Sequence, residues 1–174
     1  MPSERVSPFD SILVKALAAI RNGPNLLVEK YPTSEGAPCY RPLGGGIHFG
    51  ERAVDAVQRE IREEIGAELE NVAYLAAFES IFDKKGRLLH LIEVVFTAEL
   101  ADHSFHLADT IIGTEGCGKS FEAVWIDISR PFGGQLIPVG LLELLSASLV
   151  GTSVARQEET SKQLSRVRPS WMLR

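Results

Sequence analysis

Residues 45–67, GGIHFGERAVDAVQREIREEIGA, decide the fold of this chain. Apolar residues recur there at intervals of three, four and four, at Val54, Val57, Ile61 and Ile65. This spacing is typical of a helix that packs one face on a core. Gly66 follows directly, where helices commonly end in a left-handed residue. The stretch therefore predicts a glycine-rich loop, a helix and a helix stop, in that order.

The predicted helix carries three glutamates on one face. Each residue advances about 100° around the helix axis, so Glu60, Glu63 and Glu64 fall within about 100° of arc. Like charges at i and i+4 destabilise a solvated helix by about 0.2–0.5 kcal/mol. Solvent and the neighbouring arginines are one way to offset that repulsion, and a divalent cation is another. The presence of Glu51 and Arg59 at fixed spacing favours the cation, because Mg²⁺ and Mn²⁺ bind carboxylate and phosphate oxygens together.

Written as a pattern, the stretch is Gly45, five residues, Glu51, seven residues, and then REIREEIGA. This pattern resembles the Nudix box of the Nudix hydrolases, which hydrolyse nucleoside diphosphates linked to another moiety. The resemblance implies an α/β fold, an α/β/α sandwich with a mixed β-sheet. It implies a Nudix hydrolase domain over residues 1–150, followed by a polar C-terminal tail over residues 151–174.

The resemblance also implies roles for the charged residues of the box. Metal coordination would fall to Glu60, Glu63 and Glu64, and Glu60 also occupies the position of the general base in some members. Arg59 would orient these glutamates by ion pairing. Glu51 would be a further metal ligand, or it would hold the metal-binding residues in position without binding the metal itself.

Glycines and one acidic residue outside the helix complete the implied site. Gly44 would bring its backbone close to the metal, and Gly45 and Gly46 would let the chain approach the substrate phosphates, as glycine permits. Some family members add a metal-binding glutamate on a loop before the last strand. Glu115 is so placed in this chain, and Glu122 is the alternative.

The implied reaction is attack of water on a phosphorus of a nucleoside diphosphate linked to another group, with Mg²⁺ or Mn²⁺ as the cofactor. The implied partner is a small-molecule nucleotide, either a nucleoside triphosphate or another nucleotide conjugate. Many members that cleave ADP-ribose carry a proline soon after the box, and residues 68–100 contain none. An ADP-ribose or nucleotide-sugar pyrophosphatase remains an alternative, as does a catalytically silent nucleotide-binding regulator.

A second phosphate-binding motif competes with this interpretation. Residues 113–120, GTEGCGKS, match the P-loop pattern, which must open a helix whose N-terminus faces the phosphate. The residues that follow, Phe121 to Ile128, predict a strand instead, so we reject the P-loop. His103 and His106 could suggest a transition-metal site, but a polar connecting loop explains them better.

The remaining apolar segments predict a mixed sheet with helices on both sides. The pattern indicates two hairpins, built from Ile12–Ile20 with Leu26–Lys30 and from Asn71–Phe82 with Leu88–Leu100. Tyr31 to Leu43 is predicted to be a loop. Pro138 is predicted to open a helix that runs to about Val150.

Composition sets limits on function. The chain has 174 residues, 45% of them hydrophobic, which suits one domain with a substantial core. Its net charge of −5 argues against binding to nucleic acid or to a membrane surface. The first residues lack the apolar core of a signal peptide, and the two cysteines give no disulfide framework, so we expect a cytoplasmic protein. A homodimer remains open, because Trp171 and Met172 could contact a second subunit.

Overall fold

A computed structural model describes residues 11–31, 36–84, 86–116 and 118–149. In chain order the elements are β1 (Ile12–Asn22), β2 (Asn25–Tyr31), β3 (Cys39–Gly46), α1 (Ala53–Ile65), β4 (Leu69–Lys84), β5 (Arg87–Leu100), a 3₁₀ helix (His103–Leu107), β6 (Thr110–Thr114), β7 (Ser120–Asp127), β8 (Gln135–Leu136) and α2 (Leu141–Leu149). The described residues up to Val139 form one compact unit, and α2 belongs to a second that begins at Gly140. The predicted tail, residues 151–174, lies outside the described residues.

The strands form one mixed sheet in the order β4-β5-β1-β3-β2-β7-β6, and β8 pairs with β3. Strand β1 runs parallel to β5 and β3 runs parallel to β8, whereas the remaining pairs are antiparallel. The prediction of an α/β fold with a mixed sheet is confirmed. Both predicted hairpins are confirmed as well, with Asn22 opposite Asn25 in the first and Lys84 opposite Arg87 in the second.

Helix α1 forms where the apolar spacing predicts it. Val57 and Ile61 are fully buried in the main hydrophobic cluster, which also contains Leu43 of β3 and Phe121 of β7. Gly66 has φ 68°, and its N–H donates to the carbonyl oxygen of Arg62 at 3.0 Å. The helix therefore ends in the left-handed residue that the sequence predicts, and its apolar face fixes which way the acidic face points.

The predicted loop from Tyr31 to Leu43 is wrong over its second half, because β3 begins at Cys39. Pro42 and the glycines at 44–46 weaken the sequence signal for a strand. Hydrogen bonding to neighbouring strands stabilises β3 despite this low propensity: residues 39–42 pair with β2, and residues 43–46 pair with β1. The three glycines therefore end a strand instead of lying in a free loop. Residues 32–35 of the predicted loop are outside the described residues.

Two further predictions need correction. The last helix does not start at Pro138 but at Leu141, because Gly140 has φ 93°, which a right-handed helix cannot contain. Val150, its predicted end, is outside the described residues. His103 and His106 lie in a short 3₁₀ helix, which replaces the predicted loop.

The P-loop pattern forms a β-hairpin turn between β6 and β7. Thr114 pairs with Ser120, and the N–H of Glu115 donates to the carbonyl oxygen of Lys119 at 2.8 Å. Strand β7 follows at once, as the sequence predicts, so no helix N-terminus is present here to hold a phosphate. In the described part of the chain, no helix is long and apolar enough to cross a membrane.

Gly44 is the position in β3 where a side chain is least tolerable. Its φ is 127°, and a Cβ would lie 2.2 Å from the carbonyl oxygen of Ala16 on β1. Since backbone cannot move aside cheaply, we expect Gly44→Ala to lower the free energy of unfolding by about 2 kcal/mol or more. Gly46→Ala is the matched control, because Gly46 has ordinary φ and no atom within 4 Å of its Cβ position. Denaturant unfolding measures both, and equal stability of the two variants would contradict this explanation.

Candidate active site

Arg59 organises the acidic face of α1. Its Nε and Nη2 donate to the two carboxylate oxygens of Glu51 at 2.8 and 2.9 Å. Its Nη1 donates to Glu60 at 2.8 Å and to Glu63 at 3.1 Å, and Nη2 also donates to the carbonyl oxygen of Gly46 at 2.9 Å. One planar guanidinium thus ties the start of the helix, its acidic face and the end of β3 together.

Glu51 is held in the ionised state by its neighbours. The Arg59 guanidinium and, after it, the N–H of His48, which donates at 2.9 Å, together lower the pKa of this carboxyl to about 2. The same contacts raise the pKa of Arg59. Glu51 is therefore a fixed anion whose two oxygens are both occupied by Arg59.

Glu64 is half-buried and contacts the end of β3. It accepts a hydrogen bond from the N–H of Gly44 at 3.0 Å. Its pKa is raised to about 7, chiefly by burial and also by the nearby Glu60 carboxylate, although the Gly44 N–H and Arg41 oppose the shift. A half-buried carboxylate beside a second carboxylate favours a cation between them.

Gly45 leaves room for Glu60. A Cβ on Gly45 would lie 2.2 Å from Glu60 Oε2 and 2.4 Å from its Cδ. The absence of a side chain at this position therefore creates the space in which the Glu60 carboxylate lies, directly beside the backbone at the end of β3.

The described residues contain no group of three or more His, Cys, Asp or Glu side chains arranged around a metal position. Arg59 holds Glu60 and Glu63, whereas the N–H of Gly44 holds Glu64, so the three carboxylates are divided between two partners. The residues nevertheless fit a hard divalent cation. The donors are carboxylate oxygens beside exposed backbone, and the Gly45 position is shaped around one of them.

Glu115 and Glu122 occupy different surroundings. Glu115 lies in the β6–β7 turn, and its charge and that of Glu64 both oppose the lowering of the Lys15 pKa, which burial causes. Glu122 is exposed on β7, opposite Ile112. Among the described residues no contact joins Glu122 to the box glutamates. The choice of Glu115 as the additional ligand stays a prediction.

A cavity of about 620 Å³ is lined by residues of β4 and β5, by residues 137–139, and by Tyr31 and Arg41. The charge of Arg41 also opposes the rise in the pKa of Glu64 that burial causes. Glu29, which is buried, receives hydrogen bonds from Tyr31 and, at 3.4 Å, from Arg41. The Arg41 guanidinium also lies over the Tyr31 ring, 5.2 Å from its centroid.

Sequence reasoning missed this polar cluster. Glu29 and Glu93 are only 5% and 3% exposed, and each interrupts an apolar strand, in LLVEKY and HLIEVVF. A charged residue inside an otherwise buried strand is rare unless it has a partner, and that was the available signal. Burial and Arg41 together lower the pKa of Lys15, the cross-strand neighbour of Glu93.

Comparison with known proteins identifies the family. The NUDIX domain model matches residues 13–132, which is most of the chain and includes β1, the box and the β6–β7 hairpin. The chain belongs to the NUDIX family. The Nudix hydrolase resemblance predicted from the box is confirmed at the level of the family.

Two curated relatives are 27% and 28% identical to this chain over the aligned residues. It is 28% identical over 139 residues to the CTP pyrophosphohydrolase of Escherichia coli (strain K12), an alignment that spans 78% of this chain and 93% of the relative. It is 27% identical over 131 residues to the NAD-capped RNA hydrolase NudC of Pasteurella multocida. That match spans 74% of this chain but only 42% of the relative.

A solved structure supports the Nudix fold. The MutT NUDIX hydrolase from Burkholderia pseudomallei superposes with a TM-score of 0.55 at 23% identity. The superposition covers 72% of this chain and 91% of that chain.

Proposed function

We propose that this Nudix chain is a divalent-cation-dependent pyrophosphohydrolase that cleaves the diphosphate linkage of a small nucleotide by attack of water at phosphorus. The observation that carries the proposal is the Arg59 arrangement, in which one guanidinium fixes Glu51, Glu60 and Glu63 beside the glycine end of β3.

The cation would be held by Glu60, Glu63 and Glu64, with the Gly44 backbone and Glu115 as further ligands. Bound there, Mg²⁺ or Mn²⁺ would neutralise phosphate oxygens and lower the pKa of water. Arg59 keeps Glu60 in place before substrate arrives, so little reorganisation is needed at the moment of reaction. Glu60, or another glutamate of the face, accepts the proton of the attacking water.

The cavity next to Arg41 is the proposed binding place of the nucleoside. Its volume of about 620 Å³ lies in the range of small-molecule pockets. Arg41 lines this cavity, and its charge acts on Glu64, so its guanidinium is suited to bind a phosphate or ribose oxygen of the same substrate. Gly45 and Gly46 would offer backbone to the phosphate chain.

Nucleoside triphosphates are the favoured substrate class. The CTP pyrophosphohydrolase relative supports this choice, since the alignment covers nearly all of that protein. ADP-ribose and nucleotide sugars are the alternative that the same chemistry would accept. A cytoplasmic location and a homodimer stay predictions from the sequence.

Product analysis tests the proposal. We expect the purified chain with Mg²⁺ or Mn²⁺ to convert a nucleoside triphosphate into the monophosphate and pyrophosphate, with one ¹⁸O from labelled water in a product, as measured by mass spectrometry. Excess chelator should stop the reaction and added Mg²⁺ should restore it. Nucleotide binding without any product from triphosphates, ADP-ribose or nucleotide sugars would instead indicate a silent regulator and contradict the proposal.

A further inference from the structure

Glu93 is a buried carboxylate in the wall of the cavity. It lies on β5, is 3% exposed, and lines the cavity together with Ser80 of β4. The Ser80 hydroxyl donates to Glu93 Oε2 at 3.1 Å. Ser80 therefore fixes the orientation of the carboxylate at the cavity surface.

This carboxylate has acceptor capacity that the described residues leave unused. A carboxylate offers about four lone-pair directions, and within the described part of the chain only Ser80 donates to Glu93. Lys15 is its cross-strand neighbour, and Glu93 raises the pKa of that lysine, but no hydrogen bond joins them. A buried carboxylate that lines a cavity and has only one hydrogen-bond donor is suited to accept a further hydrogen bond from an N–H group of a ligand.

Arg41 also lines the cavity and carries hydrogen-bond donors. Its side chain makes one hydrogen bond, to Glu29 at 3.4 Å, and its buried Nε has no partner among the described residues. A guanidinium binds phosphate oxygens readily, so Arg41 is the cavity residue suited to the phosphate end of the substrate. Glu93 then remains as the acceptor for the rest of the substrate in the cavity.

We propose that Glu93, positioned by Ser80, accepts a hydrogen bond from the exocyclic amino group of the substrate's nucleobase and thereby selects amino-bearing bases over bases with an oxo group there. The inference rests on the proposed function, because it takes the cavity ligand to be a nucleotide. The amino group of cytosine donates to a carboxylate. The O4 atom of uracil would instead place its lone pairs against the Glu93 oxygens.

The CTP and UTP pair tests this selection, since the two bases differ only at position 4, amino against oxo, and in the proton on the adjacent N3. We expect kcat/KM to favour CTP by about 10-fold or more, the discrimination that one hydrogen bond to a charged group provides. Glu93→Gln should lower the CTP to UTP ratio by about 10-fold, because an amide can donate to O4 of uracil. The ratio is independent of the fraction of folded protein, so a loss of stability in this variant does not hide the result.

Two neighbouring variants separate specificity from a general effect on the cavity. Glu79→Gln removes a carboxylate from the same cavity, but Glu79 is 63% exposed and bound to His90 at 2.8 Å, so the CTP to UTP ratio should not change. Ser80→Ala keeps the Glu93 charge and loses only its positioning hydrogen bond. It should lower the ratio by less than Glu93→Gln does.

Binding without turnover distinguishes failure of this inference from failure of the proposed function. Calorimetry with Mg²⁺ and nonhydrolysable analogues should give tighter binding of the CTP analogue than of the UTP analogue by the unmodified chain, and the Glu93→Gln variant should bind both alike. Equal kcat/KM for CTP and UTP in the unmodified enzyme, or a ratio unaffected by Glu93→Gln, overturns base selection and leaves the hydrolase intact. Preferential binding of CTP without hydrolysis supports base selection and contradicts the hydrolase. Absence of binding contradicts both.

Discussion

Replacing Glu60 by glutamine is expected to lower kcat by about 10²–10⁴-fold, the range associated with loss of a positioned general base. Glutamine keeps the shape of the side chain but removes the charge that would bind a cation and the basicity that would accept a proton. Glu60 is the glutamate whose carboxylate lies beside Gly45 and accepts a hydrogen bond from Arg59. Steady-state hydrolysis of a nucleoside triphosphate with saturating Mg²⁺ measures the effect.

Glu68→Gln is the matched control for this variant. Glu68 follows α1 and pairs with Arg62 on the surface, at 2.5 and 2.6 Å, outside the proposed site. We expect it to keep the kcat of the unmodified enzyme. If Glu60→Gln hydrolysed nucleotide at the unmodified rate while thermal unfolding showed a normal fold, Glu60 would have no part in the chemistry.

Gly45→Ala is expected to lower kcat by about 10²-fold with little loss of stability. The new methyl would lie 2.2 Å from Glu60 Oε2, so the carboxylate must move by an ångström or more. Misplacement of about 1 Å is enough to cost about 10²-fold in rate. Because the clash is with the end of a flexible side chain, the fold can relax around it.

The contrast with Gly44→Ala makes this prediction specific. At Gly44 the clash is with the β1 backbone and the cost should appear in unfolding, whereas at Gly45 it should appear in turnover. Denaturant curves and kcat for the two variants separate these effects. A Gly45→Ala enzyme with unchanged kcat would show that the position of Glu60 is not critical.

The helix and its stop could be predicted because their causes are local. Val57 and Ile61 recur on one face, and Gly66 supplies the left-handed residue directly after the last turn. The helix face that Glu60, Glu63 and Glu64 share follows from the same periodicity. Their assigned roles came from the resemblance to the Nudix box and stay predictions that the experiments above test.

Strand β3 could not be predicted because its cause is not local. Pro42 and the glycines after it are poor strand formers, and only the pairing with β1 and β2 makes a strand of them. The start of α2 was misplaced for a related reason: Pro138 is a common first-turn residue, but the positive φ of Gly140 delays the helix.

The residues that line the cavity could not be predicted to lie together, for the same physical reason. Glu93 lies near Ser80 because β4 and β5 pair with Ser80 opposite Leu91, and near Lys15 because β1 runs parallel to β5. Register of this kind depends on the whole sheet, and a shift by one residue would turn Glu93 to the other face. The isolated glutamate in an apolar strand indicated a polar site but not its partners.

Binding of Mn²⁺ in the presence of a nonhydrolysable nucleoside triphosphate tests the central claim most directly, and electron paramagnetic resonance measures it. The proposed site predicts a bound Mn²⁺ whose affinity falls by about 10-fold or more in Glu64→Gln and is unchanged in Glu68→Gln. Equal Mn²⁺ affinity in the unmodified chain and in Glu64→Gln would contradict the claim that the glutamates of α1 hold a divalent cation against the phosphates of the substrate.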